Sequence, residues 1–197
     1  MARGRRSDHT RDELVELILA EGSAIMEERG YAGFSTRELA KRIGYSLAMI
    51  LKVMGSTDAL ATAINTRTFG IWADALDASL SESPPDRIAA LVQAYFDFAE
   101  RHPGLWTAIF DHKPTVPDMP DDQAQIRARL TGIVIGEVCR ALPPKAAGRG
   151  PSLARSLIAT VHGHCTYALS GSFTLMGEED PRGAALARVR ESIAAAS

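Results

Sequence analysis

Residues 36–55, TRELAKRIGYSLAMILKVMG, decide the fold of this chain. Their pattern predicts two short helices joined by a tight turn, which is a helix-turn-helix. Ala40 is small enough for the two helices to cross closely, and Gly44 tolerates the positive φ that the turn needs. Ile50 supplies the apolar anchor that faces the first helix. Such a motif presents its second helix to the major groove of DNA, whereas an ordinary helix–helix corner has no such role.

Charge is distributed unevenly around this motif. The whole chain carries a formal net charge of −2, yet residues 1–11 and residues 35–57 each carry +3, so the remainder carries −8. A basic segment on an acidic protein is typical of a localised nucleic-acid interface. The alternative that charge alone leaves open is a solvated basic surface with no partner.

The rest of the chain is predicted to be helical, because apolar residues recur at helical spacing and no long stretch alternates with period two. Ser35 and Glu38 are predicted to form a reciprocal capping box at the start of the second helix. The prediction is an all-α fold of nine helices, at residues 11–29, 36–43, 47–53, 57–80, 86–101, 104–111, 123–142, 152–171 and 181–196.

Composition places the 197 residues among globular proteins, with 46% hydrophobic and 23% charged residues. No stretch approaches the roughly 18 consecutive apolar residues of a membrane-spanning helix. The N-terminal residues lack the apolar segment of an export signal. The two cysteines, Cys139 and Cys165, do not form a disulfide framework. We therefore expect a cytoplasmic protein.

Candidate catalytic and metal-binding residues are few. His162, His164 and Cys165 are close in sequence, but on a helix His164 points away from the face that the other two share. A further ligand such as His112 would have to come from a loop. No catalytic triad, carboxylate pair or phosphate-binding loop is present. The sequence predicts a protein that is not an enzyme and that has no cofactor or metal.

These motifs resemble the TetR/AcrR family of transcriptional regulators. The helical body, residues 56–197, resembles the C-terminal domain type of this family that is named for a Trp-His-Gly motif. Only the His-Gly part of that motif is present, because Ile158 stands where the tryptophan is expected. The segments that carry the resemblance are ERGY (28–31), FSTRELAKRIGYS (34–46), GSTDAL (55–60), FAERHPGLW (98–106) and VHG (161–163).

Two positions of the N-terminal head, residues 11–65, depart from the family pattern. Leu51 and Thr57 stand where the family has a tyrosine and a lysine that contact DNA phosphates. Their loss removes two backbone contacts per subunit, the kind that dominates affinity for DNA. The alternative is therefore a helical sensor or partner-binding protein whose head no longer reads DNA.

The resemblance implies a DNA-binding transcriptional regulator, a repressor released from its operator by a small molecule. It implies a DNA-binding domain with a basic arm over residues 1–55 and a ligand-binding and dimerisation domain over residues 56–197. The implied partners are double-stranded DNA with a palindromic operator, an unknown small-molecule effector and a second copy of the chain. The homodimer would form through residues 152–171 and 181–196.

The residues that open the two helices of the motif are the candidate DNA contacts. Packing against a neighbouring helix is the alternative for Leu47 and Met49, and a place in the core is the alternative for the aromatic residues of the body. The predicted DNA contacts are Thr36, Arg37, Ser46, Leu47, Ala48, Met49 and Lys52. The predicted ligand-pocket residues are Trp72, Phe96, Trp106, Phe110, His162 and Tyr167.

Overall fold

The computed structural model describes residues 9–114 and 120–197, and these confirm the all-α fold. Arg3, Arg5 and Arg6 of the predicted basic arm lie outside the described residues. The helices are α1 (Arg11–Arg29), α2 (Thr36–Ile43), α3 (Leu47–Met54), α4 (Thr57–Ser81), α5 (Arg87–Arg101), α6 (Pro103–Asp111), α7 (Asp121–Ala141), α8 (Gly150–Leu169), α9 (Ser172–Met176) and α10 (Pro181–Ala196).

The described part of the chain contains ten α-helices, so the predicted count of nine is wrong. The additional helix is α9, whose five residues are too few to show a helical period in the sequence. The segment predicted as a loop before α8 also forms a 3₁₀ helix at Pro144–Arg149. As a result, α8 begins at Gly150, two residues before its predicted start.

The described residues divide into two compact units. Residues 9–68 and 104–114 form the first unit, which holds α1, α2, α3, the first half of α4 and nearly all of α6. Residues 69–103 and 120–197 form the second. The predicted boundary between residues 55 and 56 does not coincide with this division into packing units, and as a division of functions it stays a prediction.

The core of the first unit is built on α1. Leu14, Ile18, Ile25 and Met26 recur at helical spacing and form a buried stripe, and they pack with residues of α2, α3, α4 and α6. Ile50 of α3 is fully buried in this core. Complete burial of such a side chain contributes about 1.5–3 kcal/mol, so Ile50 anchors α3 firmly.

An ion pair between the buried Glu137 and the half-buried Arg87 joins three helices of the second unit. Glu137 of α7 accepts hydrogen bonds from Arg87 at the start of α5, with Nε–Oε2 at 2.7 Å and Nη2–Oε1 at 2.9 Å. Arg87 also donates to the backbone oxygen of Leu80 at the end of α4, and Arg140 contacts the same carboxylate. The hydrogen bonds from Arg87 lower the pKa of Glu137 to about 2, so the carboxylate stays charged.

Within the described residues, no single helix has both the length and the apolar composition to cross a bilayer. The helices α3 and α4 meet those two criteria only when they are taken together across the 65° bend between them.

Candidate nucleic-acid interface

The turn between α2 and α3 has the geometry that the sequence predicts. Gly44 adopts the left-handed conformation, with φ of 74° and ψ of 22°, and the Tyr45 N–H donates to the backbone oxygen of Ala40 at 3.0 Å. Ser46 then caps α3, because its hydroxyl oxygen accepts from the Met49 N–H at 3.2 Å. These local bonds fix where α3 begins.

The outer face of α3 is formed by its exposed residues, whereas Ile50 is the one buried residue of this helix. Ala48 and Lys52 are exposed, and 40% of Met49 remains exposed. Leu47 is half-buried and packs against the core of the first unit. Leu47 therefore packs against a neighbouring helix, as the alternative to a DNA contact predicts, whereas the side chain of Met49 is exposed to solvent.

The exposed cations of the motif differ in their pairing. Arg37, Lys41 and Lys52 are exposed, and none of them forms an ion pair with a carboxylate of the described residues. By contrast, Arg42 is bound by three carboxylates, which raise its pKa: Glu28 at 2.7 Å, Glu21 at 3.1 Å and Glu38 at 2.9 Å. The count of +3 for residues 35–57 therefore overstates the charge available to a polyanion.

The capping box predicted at the start of α2 is only half formed. The Ser35 hydroxyl accepts from the Glu38 N–H at 3.4 Å, as predicted. The Glu38 carboxylate, however, lies against Arg42 and Arg29 instead of returning to the backbone of Ser35. Two cations compete more strongly for a carboxylate than a single amide does.

Thr36 is the one buried residue among the seven predicted DNA contacts, and only 7% of it is exposed. Its hydroxyl lies 3.2 Å from the hydroxyl of Thr57, where either oxygen can donate. Thr57 is the residue that stands in place of the family's lysine. The two hydroxyls therefore join the starts of α2 and α4.

The first unit contains a cluster of hydrogen-bonded polar side chains that the sequence does not reveal, because its members are far apart in the chain. Asn65 donates through Nδ2 to the backbone oxygen of Ala108 at 3.2 Å and approaches Nδ1 of His112 at 3.3 Å. Nδ1 therefore accepts, and Nε2 of His112 donates to Asp58 at 2.9 Å. This pairing uses both ring nitrogens of the residue considered above as a distant metal ligand. No group of three or more metal-ligating residues occurs within residues 9–114 and 120–197.

Glu27 of α1 was also not found from the sequence. Its carboxylate accepts from the Gly104 N–H at 3.2 Å and from the Leu105 N–H at 3.4 Å, at the start of α6. Gly104 lies so close to α1 that a Cβ atom there would meet the backbone of Met26 and Glu27. The start of α6 is therefore held directly on the last turn of α1.

In the second unit, the predicted pocket aromatics pack into the core. Trp72 stacks on Phe98 with ring centroids 4.9 Å apart, and it meets Tyr95 edge-on at 4.7 Å. Phe96 is fully buried. Nδ1 of His162 is hydrogen-bonded to the Tyr95 hydroxyl at 3.0 Å. Burial lowers the pKa of His162.

The other three predicted pocket residues are divided between the two units. Tyr167 is about half exposed, at 49%. Trp106 and Phe110 belong to the first compact unit, where their rings meet edge-on at 5.4 Å.

An aliphatic cavity of about 50 Å³ lies in the second unit. Tyr95 is the one wall residue that carries a polar side chain, and none of the six predicted pocket residues lines the cavity. Helical spacing identifies which rings are buried but not where packing leaves space, so the sequence could not locate it. The wall comprises Leu76, Ile88, Leu91, Val92, Tyr95, Val134, Val138, Leu157, Ile158, Val161 and Val189.

The left-handed turn at Gly44, the capped α3 and the anchor Ile50 define a helix-turn-helix protein with an all-α body. The sequence model described as "Tetracyclin repressor-like, C-terminal domain" matches residues 88–191, which is more than half of the chain. The chain therefore belongs to the TetR family of transcriptional regulators.

The individual proteins that this chain resembles share only about a quarter of its residues or fewer. The chain is 25% identical over 134 residues to HTH-type transcriptional regulator Rv1816 of Mycobacterium tuberculosis; the match covers 66% of this chain but only 57% of that relative. A protein of unknown function from Rhodococcus sp. RHA1 has a TM-score of 0.73 at 22% identity, with 98% of each chain covered. The TetR family regulator PfmR from Thermus thermophilus has a TM-score of 0.59 at 17% identity, covering 89% of this chain and 96% of that one. These structural likenesses support the fold.

Proposed function

We propose that this chain is a DNA-binding transcriptional repressor that leaves a palindromic operator when a small molecule binds its body. The outer face of α3 carries the proposal, because it offers Ala48, Met49 and Lys52 to a partner while Ile50 holds the helix in place. The exposed cations Arg37 and Lys41 on α2 suit a polyanionic partner. A role in the cytoplasm, without catalysis or a cofactor, is part of the proposal.

The predicted DNA contacts take different roles in this proposal. Ala48 and Met49 face base edges, whereas Arg37 and Lys52 bind phosphates. Ser46 caps α3 through its lone pair and keeps its O–H free to donate to DNA. Thr36 and Leu47 act by positioning, because the first bonds Thr57 and the second packs against the core.

A second copy of the chain is the proposed partner through α8 and α10. The α8 helix contains no acidic residue and a single arginine, Arg155, and Ser156, Ala159 and Tyr167 are exposed along it. An exposed helix face with so little charge favours contact with a matching face across a two-fold axis. Two recognition helices about 34–36 Å apart would then reach successive major grooves of a palindrome.

The proposed ligand is an apolar molecule that enters the aliphatic cavity of the second unit. Trp72 and His162 keep a role in this proposal, because both contact Tyr95 in the cavity wall. The cavity of about 50 Å³ is much smaller than usual ligand sites of about 300–1,000 Å³, so a ligand would have to widen it. A ligand that prefers the widened state shifts the population toward it by its differential affinity.

A second candidate function is a helical sensor whose head no longer reads DNA. Leu51 is half-buried and apolar, and Thr57 is bonded to Thr36. Leu51 has no group that can hydrogen-bond a phosphate, and Thr57 lacks the positive charge of the lysine that the resemblance to the family implies.

A titration with labelled duplex distinguishes the two candidates. Purified protein is mixed with DNA from upstream of its own gene and with a library of random duplexes, at two salt concentrations and with scrambled competitor. Competitor-resistant binding that weakens steeply with salt supports the repressor. Absence of DNA binding even at low salt supports the sensor. The same assay detects a ligand by its release of bound duplex.

The Lys52→Ala variant is expected to weaken binding to all duplexes equally. Loss of one phosphate contact per subunit lowers the slope of log K against log salt by about one unit per subunit. The control is Lys145→Ala, which removes the same charge from an exposed site in the second unit and should leave both quantities unchanged. An unchanged slope for Lys52→Ala would show that α3 is not at the DNA.

The Ala159→Arg variant is expected to dissociate the dimer. Ala159 is exposed on α8, so the single chain accommodates the larger side chain, but two guanidinium groups would meet across the two-fold axis. Overpacking of about 1–3 kcal/mol corresponds to a dimer dissociation constant raised about 5-fold to 150-fold. Analytical ultracentrifugation measures this, with Ala128→Arg on α7 as the control. A dimer as tight as that of the control would place the interface elsewhere.

A further inference from the structure

We propose that the first turn of α3 recognises thymine methyl groups, with Met49 as the main contact. The inference rests on the repressor function proposed above and specifies which base its head reads. It concerns the exposed side chains of α3, which differ from those of a helix that reads bases through hydrogen bonds.

The first turn of α3 has little hydrogen-bonding capacity. Between Ser46 and Lys52 every residue is apolar, and the Ser46 oxygen already accepts from the Met49 N–H at 3.2 Å. Lys52 lies in the last turn, whereas the residues at the start of a recognition helix are those that reach base edges. The side chains available there are Ala48 and Met49, of which Met49 is 40% exposed and is the larger.

The chemistry of the major groove makes thymine the base that such a surface fits. Guanine offers two acceptors that Arg or Lys reads, adenine is read by Asn or Gln, and cytosine offers a donor that needs an acidic acceptor. None of these side chains occurs in the first turn of α3. Thymine instead offers a methyl group, which suits Met49, and a carbonyl oxygen, which suits the O–H of Ser46.

The exposed charges of α2 and α3 favour DNA over an apolar protein as the partner of this apolar face. Arg37 and Lys41 of α2 and Lys52 of α3 are exposed, and none forms an ion pair with the described carboxylates. Three exposed cations on the two helices of the motif suit a groove that carries methyl groups between two rows of phosphates.

The test removes single methyl groups from a duplex that the protein itself selects from random DNA. Each thymine of a half-site is replaced in turn by deoxyuridine, which lacks only the C5 methyl. We expect at least one position per half-site where affinity falls about four-fold, the equivalent of one buried methyl group at about 0.8 kcal/mol. Substitution in both half-sites should then give about sixteen-fold.

Variants of Met49 assign the effect to its side chain. Met49→Ala should bind the thymine and uracil duplexes nearly equally, whereas Met49→Leu should retain the preference for thymine. Lys52→Ala is the control, because it should weaken both duplexes by the same factor. Specific binding that ignores every uracil substitution, or full discrimination by Met49→Ala, overturns the inference but leaves the repressor function standing. Failure to bind any duplex, as for a head that contacts another protein, overturns both.

Discussion

Replacement of Ala48 by aspartate is expected to abolish DNA binding while the helical fold remains intact. Ala48 is exposed at the second position of α3, so the substitution removes no packing. A carboxylate in the first turn of a helix also interacts favourably with the helix dipole. In the proposed complex the same carboxylate would face base edges between phosphates, where like charge costs several kcal/mol. We expect affinity to fall at least about 100-fold.

Fluorescence anisotropy of a labelled operator duplex measures this loss, and circular dichroism measures the fold. The matched control is Ala124→Asp, which places the same charge on an exposed alanine in the first turn of α7. The control should bind DNA as the unchanged protein does. If Ala48→Asp binds within about three-fold of that control, α3 is not the recognition helix.

Replacement of Gly104 by alanine is expected to destabilise the protein by about 1–3 kcal/mol, the usual cost of overpacking. The added Cβ would lie 2.6 Å from the Met26 backbone oxygen and still closer to that of Glu27. Backbone atoms cannot turn aside as a flexible side chain does, so the start of α6 must move away from α1. That movement breaks the hydrogen bonds from Gly104 and Leu105 to Glu27.

Thermal or denaturant unfolding measures the change in stability. The matched control is Gly132→Ala in α7, where an added Cβ meets nothing within 4 Å. That substitution should stabilise the helix by up to about 1 kcal/mol through helix propensity. Equal stability of the two variants would mean that α6 does not approach α1 as closely as described.

The head offers fewer unpaired positive charges to DNA than a count of its basic residues in the sequence suggests. Arg42 belongs to the basic segment by sequence, yet three carboxylates balance its charge, two of them from α1. Arg37, Lys41 and Lys52 are then the cations on which the proposed DNA contact depends. The departures at Leu51 and Thr57 make this smaller set of cations more important, because neither residue carries a positive charge and Leu51 cannot hydrogen-bond a phosphate.

The helix boundaries of the head were determined by the sequence itself. Gly30, Gly44 and Ser46 stop or cap helices through bonds to backbone groups within five residues, and such local signals can be read without the fold. The apolar stripe of α1 is equally local, since it follows from helical spacing. Where local signals were short, as in the five residues of α9, the sequence did not suffice.

Only the tertiary structure decided which candidate residues are available for function. The bond between Thr36 and Thr57, the pairing of Arg42 with Glu21 and the contact of His112 with Asp58 join residues 21 to 54 positions apart. The aliphatic cavity likewise forms where side chains of five helices leave space. Pairing and cavities depend on which distant side chains meet, and helical periodicity carries no information about that.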